Sequence, residues 1–83
     1  MDTGRPYIVE GEIRSFSKNT SEDELVWHRD YEDRIIEPLH ETDWKFQYDN
    51  STPESLKRLF IRKGVNHRLI KGTGDLKLKV IKL

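Results

Sequence analysis

Apolar and polar positions alternate along much of this chain with the two-residue period of β-strands. Residues 7–16 (YIVEGEIRSF) place Tyr7, Val9 and Ile13 on one parity and Glu10, Glu12 and Arg14 on the other, which predicts one strand. Residues 17–23 (SKNTSED) form a polar, turn-rich loop. Short strands are predicted over 25–28 (LVWH) and 34–39 (RIIEPL). Pro38 makes the second an edge or bulged strand, because proline has no N–H to donate. Residues 40–43 (HETD) read as a hairpin turn into 44–48 (WKFQY), where Trp44, Phe46 and Tyr48 face a core and Lys45 and Gln47 face out.

Residues 51–60 (STPESLKRLF) carry two patterns. Thr52 as N-cap, Pro53 at the first helical position and Glu54 in the first turn are helix-start signals, with Leu56, Leu59 and Phe60 as a short apolar stripe. Residues 59–61 also read as a strand, and Gly64 stops whatever precedes it. The expectation is a turn or one helical turn, then a strand. Residues 67–71, a tight KGTGD turn, and residues 76–83 (LKLKVIKL) complete the chain as a predicted hairpin, with a bulge at the final apolar doublet. Seven or so short strands at this spacing predict an all-β barrel or sandwich with little helix. No internal repeat or low-complexity segment appears.

Eighty-three residues make one small domain, 1–83, with residues 1–6 as a loose N-terminal segment. The chain is 34% hydrophobic and 36% charged, so its core is thin. Domains of this kind lean on a closed sheet, a metal or a partner chain, and the expectation is a homodimer. With no cysteine there is neither a disulfide framework nor a thiolate metal site. Nothing at the N-terminus resembles a signal peptide, and no run approaches the roughly 20 apolar residues that span a membrane, so a cytoplasmic protein with no membrane partner is expected.

The net charge of zero conceals an asymmetry. Residues 1–55 carry 14 acidic and 6 basic side chains, and residues 56–83 carry 1 acidic and 9 basic. Arg68, Lys71, Lys77 and Lys79 would gather into a basic face if the last two strands pair. Such a face either lies beside the acidic half, where Glu10, Glu12, Glu32 and Asp33 could neutralise it, or meets nucleic acid. Internal or dimer-wide neutralisation is the expectation.

The order of elements, WHRDYEDRIIEPL, then WKFQYDN, then FIRKGVNHRLIKGTGDLKLKV, resembles a very small cupin, a jelly-roll barrel. The likeness spans roughly residues 13–80. The family's first motif is His-x-His followed by a glutamate a few residues on. Here His28 matches its first histidine, Asp30 stands at the second, and the glutamate slot falls near Asp33 or Arg34. The second motif is Pro-x-Gly-x-x-His, usually followed by an asparagine. Gly64 and His67 match it, whereas Arg62 replaces the proline, Leu56 the leading glycine and Lys71 the asparagine. The resemblance implies that Gly64 permits a tight turn and that His67 starts the next strand at a ligand position.

On that resemblance His28, Asp30 and His67 form a two-histidine, one-carboxylate set for a divalent transition metal: iron, manganese, nickel or zinc. Trp44 and Phe46 would line the ligand pocket. Strand parity puts His28 and Asp30 on one face, but if Leu25 and Trp27 face the interior that face points outward unless a bulge intervenes. The competing reading makes His28 a solvated or ion-paired surface histidine, His67 a strand residue with a satisfied ring, and Trp27, Trp44, Phe46 and Tyr48 simply core. His40 falls in a turn and reads as inert.

No nucleophile elbow or phosphate-cradling glycine loop is present, and nothing singles out two carboxylates for acid–base work. The eroded motifs imply a cupin-like binding or accessory module without catalysis, of the size and style carried by a phage or mobile element, which binds a small molecule or a protein. The alternatives are a metal-dependent cupin enzyme using His28, Asp30 and His67, and nucleic-acid binding through the basic C-terminal half.

Overall fold

A computed structural model of the chain describes residues 7–83; the loose segment expected over 1–6 lies outside them. Eight strands form two antiparallel sheets. They are β1 (Ile8–Glu10), β2 (Ile13–Phe16), β3 (Arg34–Pro38), β4 (Lys45–Tyr48), β5 (Glu54–Ser55), β6 (Leu59–Ile61), β7 (His67–Ile70) and β8 (Leu76–Lys82). One sheet has the order β1-β2-β8-β3-β6 and the other β5-β4-β7. The fold is all-β, and helix among the described residues is limited to one 3-10 turn, Glu22–Glu24, capped by Ser21 Oγ. No helix there is long and apolar enough to cross a membrane.

Period-two alternation decides what faces inward. On β8 Leu76, Leu78 and Val80 are buried, with Lys77 and Lys79 on the opposite face. Their neighbours in register, Phe16 on β2 and Ile36 on β3, turn the same way, as do Trp44 and Phe46 on the second sheet. Phe16 and Trp44 meet across the sheets with ring centroids 5.6 Å apart. The core is therefore apolar surface from both inner faces, joined by Leu56 and Ile61.

Several expected elements are different. Residues 7–16 are two strands, because Gly11, at φ +62°, takes the first position of a two-residue hairpin loop where type II′ turns place glycine. That loop resets the parity, so Arg14 and Phe16, rather than Ile13, share the inner face with Val9. Residues 25–28 form no strand; only His28 makes a bridge, to His67. Residues 51–60 contain no helical turn: β5 adds to β4, and Leu56 N–H donates to Trp44 O. β3 is no edge strand, since it lies between β8 and β6; Pro38 sits at its end, past the last residue that β6 pairs. β8 runs through Lys82 in unbroken register with β3, without the expected bulge.

The largest correction concerns connectivity. β7 pairs with β4, and β8 pairs with β2 and β3, so KGTGD is a crossover between sheets and not a hairpin. HETD is likewise a crossover, from β3 to β4. Both were read as hairpins because a polar turn between two alternating runs looks the same whether the next strand stays in its sheet or leaves it. The consequence for charge is direct: Arg68 lies on the three-stranded sheet and Lys77 and Lys79 on the five-stranded one, so they do not form one paired hairpin face.

Candidate metal centre

Two segments converge at the end of the cavity between the sheets. His28 and His67 are joined by reciprocal backbone hydrogen bonds: His28 N–H donates to His67 O at 3.0 Å and His67 N–H to His28 O at 2.9 Å. Asp30 is anchored by its own carbonyl, which accepts the Gly64 N–H at 2.8 Å. Gly64, exposed and at φ +79°, makes the turn that starts β7 three residues later. Asp33 Oδ1 reinforces the contact by accepting Lys63 N–H. Thus the spacing between Gly64 and His67 serves geometry: the turn touches one ligand segment and launches the next.

The parity conflict resolves through Trp27. Its ring turns outward, under the Arg68 guanidinium 4.5 Å from its centroid, and Arg68 Nε donates to Gln47 Oε1. With Trp27 outside, His28 and Asp30 turn toward the cavity, which both line. His67 is 4% exposed and Asp30 7%, whereas the His28 side chain is half-exposed. Potential ligand atoms of His28, Asp30 and His67 all lie within 4.8 Å of one another.

The backbone sets the form of both imidazoles. His28 Nδ1 is 3.0 Å from Val26 O and His67 Nδ1 is 2.8 Å from Val65 O. A carbonyl can only accept, so each Nδ1 carries a proton and donates, and the neutral form of each ring has its lone pair on Nε2. This is how ligating histidines are oriented at metal sites. Burial pushes the His67 pKa below its ordinary value, and nearby His28 and Arg34 add to that; the Val65 hydrogen bond and Asp30 oppose it. In its neutral form the ring points a lone pair at a carboxylate.

His67 Nε2 lies 3.4 Å from Asp30 Oδ2, and that oxygen is buried with no hydrogen-bond partner. Two acceptors facing each other in a buried site repel unless a proton or a metal ion lies between them. Two ligands about 2.1 Å from one ion at the tetrahedral angle stand about 3.4 Å apart, so this spacing fits zinc and its neighbours. His28 Nε2 stands 4.0 Å from Asp30 Oδ1. The residues present fit a divalent transition ion.

Arg34 supplies the partner that the sequence did not reveal. Its Nη1 is 3.1 Å from Asp30 Oδ1, and its Nη2 is 3.4 Å from Glu32 Oε2. One carboxylate oxygen is thereby held while the other stays open. Its inward direction follows from sharing parity with buried Ile36 on β3. Phe46 stacks on the His67 ring at 5.4 Å and lines the cavity. Trp44 does not line it; it is fully buried, with Nε1 donating to Gly74 O at 2.7 Å. His40 is a structural link: Nδ1 donates to Glu41 O and Nε2 accepts the Lys77 N–H. Of the four basic residues, Arg68 stacks on Trp27, Lys71 sits in the β7–β8 crossover, Lys77 lies opposite Ser15, and Lys79 faces Glu37 across the ladder.

No protein-family model matches the chain, and no curated protein matches it. Among solved structures it is similar to protein NMB1881 from Neisseria meningitidis, with a TM-score of 0.60 and 17% identity over 93% of this chain and 79% of that one. At that identity the likeness is one of fold.

Proposed function

We propose that the protein is a small cupin-like, metal-dependent enzyme acting on a small molecule, with His28, Asp30 and His67 holding a divalent transition ion inside the barrel. The observation that carries this reading is Asp30 Oδ2, buried, unpartnered and facing the free lone pair of His67. Three protein donors leave coordination positions open, as catalytic rather than structural sites do. Such an ion supplies Lewis acidity. The chain's own residues orient the donors through Val26 O and Val65 O, hold Asp30 with Arg34, and enclose the ligand between apolar sheet faces. A module without catalysis, which the eroded motifs imply, would use the same three donors for a structural ion; the coordination positions they leave open favour the enzyme.

The test is elemental analysis of protein purified without a histidine tag and loaded separately with iron(II), manganese, nickel and zinc. One ion per chain is expected for the preferred metal, with binding lost in His67→Ala. Wild-type protein that stays metal-free under all four conditions would refute the proposal.

A further inference from the structure

The cavity that receives the three ligands has a volume of about 720 Å³, room for a molecule well beyond a metal and its waters. Ile36, Ile61, Leu69, Leu78 and Val80 make much of its wall apolar. Its ionic lining among the described residues is balanced: Arg14, Arg34 and Lys82 against Glu12, Glu24 and Asp30. Glu32 adds a further carboxylate through its pairing with Arg34, so a divalent ion bound at Asp30 would leave one uncompensated positive charge in a partly enclosed space with apolar walls.

Two further observations fix where a compensating anion would sit. Arg34 Nε is buried and has no hydrogen-bond partner, although the two Nη groups are engaged by Asp30 and Glu32. A buried cationic N–H without an acceptor is costly, so the guanidinium gains from a further acceptor at the edge it presents to the cavity. In addition, Arg34 lies directly across the ladder from Lys82, and both line the cavity. Like charges opposite each other on paired strands repel, and an anion between them turns the repulsion into attraction.

We infer that the ligand is a small organic carboxylate with an apolar body. Its carboxylate is met by the Arg34 guanidinium, Lys82 and the ion, and its hydrocarbon part lies along Ile36, Ile61, Leu69, Leu78 and Val80. Arg34, in mid-sheet between Ile61 and Lys82, could pair with carboxylate or phosphate alike, but inorganic phosphate leaves the apolar wall uncovered and is the poorer fit. The inference rests on the metal reading of the same centre.

Zinc-loaded, full-length protein, titrated calorimetrically with hexanoate, 1-hexanol, hexylamine and inorganic phosphate, tests it. Zinc is chosen because it has no redox chemistry. Hexanoate is expected to bind roughly tenfold or more tightly than 1-hexanol, the weight of one charge-assisted hydrogen bond. Lys82→Gln, at an exposed strand end, should weaken hexanoate severalfold and leave 1-hexanol unchanged. Arg34→Gln should abolish the preference, and circular dichroism establishes that it folds; if it does not, the Lys82→Gln comparison decides. Protein that binds zinc one-to-one but takes 1-hexanol, hexylamine or phosphate as well as hexanoate overturns the carboxylate and leaves the metal centre standing. Protein that binds no zinc, iron, manganese or nickel overturns both.

Discussion

The two histidines stand in the same local frame, Val-x-His, and each donates from Nδ1 to the carbonyl two residues back. That short-range contact determines which lone pair is free, so the chemistry of the site depends on backbone shape as much as on residue type. It also makes the role of Asp30 separable from structural ion pairing. In the metal-free protein an asparagine at this position keeps an oxygen for Arg34 Nη1 and offers an N–H to His67 Nε2, which now faces an acceptor. Asp30→Asn is therefore expected to stay within about 1 kcal/mol of the metal-free wild type in urea unfolding, or to exceed it, while losing metal binding. Asp30→Leu, which strands Arg34 without its partner, should cost about 3 kcal/mol. A loss above about 2 kcal/mol for the asparagine variant would mark Asp30 as a structural partner of Arg34 and not a ligand. The His-x-Asp and Gly-x-x-His spacings were visible in the sequence. The tautomers and the inward turn of Arg34 were not, because they depend on carbonyl positions and on a parity that Trp27 releases by leaving the interior for Arg68.

At the scale of elements, the two crossovers lock onto each other. Asp43, in the β3–β4 crossover, accepts from Thr73 N at 2.9 Å and from Thr73 Oγ1 at 2.8 Å in the β7–β8 crossover. These hydrogen bonds, the backbone one first, hold its pKa below the ordinary carboxylate value. Gly72 lies flat against that junction: a Cβ there would overlap Asp43 Oδ1 and come within 2.7 Å of Trp44 N. The backbone of Trp44 cannot retreat, since its side chain is fully buried against Phe16 and donates to Gly74 O. Gly72→Ala should accordingly destabilise the protein by about 2 kcal/mol, whereas Gly74→Ala, whose Cβ would meet nothing within 4 Å, should lie within about 0.5 kcal/mol of wild type in the same denaturant series. Equal effects at the two glycines would remove the close-approach argument. The turn character of both segments was legible from composition. Their destination was not, because the pairings that carry β4 and β8 into different sheets are long-range choices that alternation alone does not encode.

For the molecule as a whole, alternation and turn chemistry were sufficient to read an all-β fold, and Trp44 and Phe46 were legible as core. What holds the two sheets to each other is a separate matter, since no ladder connects a strand of one to a strand of the other. Nine buried apolar residues among the described ones do part of it, a small core. The polar centre does another part: Asp30 and Arg34 lead into and start β3 of the five-stranded sheet, and His67 starts β7 of the three-stranded sheet. An ion shared by Asp30 and His67, as proposed, would tie one sheet to the other where the two side chains face each other at 3.4 Å. Because the unfolded chain does not bring these residues together, binding is linked to folding. At free metal about a hundredfold above Kd the linkage is worth about 2.7 kcal/mol. In a domain of this size that corresponds to a rise in Tm of roughly 10 °C or more. The expected result is such a rise for the wild type on adding the preferred ion, its reversal by chelator, and no rise for His67→Ala. An ion that binds one-to-one without moving Tm would be bound as well by the unfolded chain, and the centre could not then be what joins the sheets.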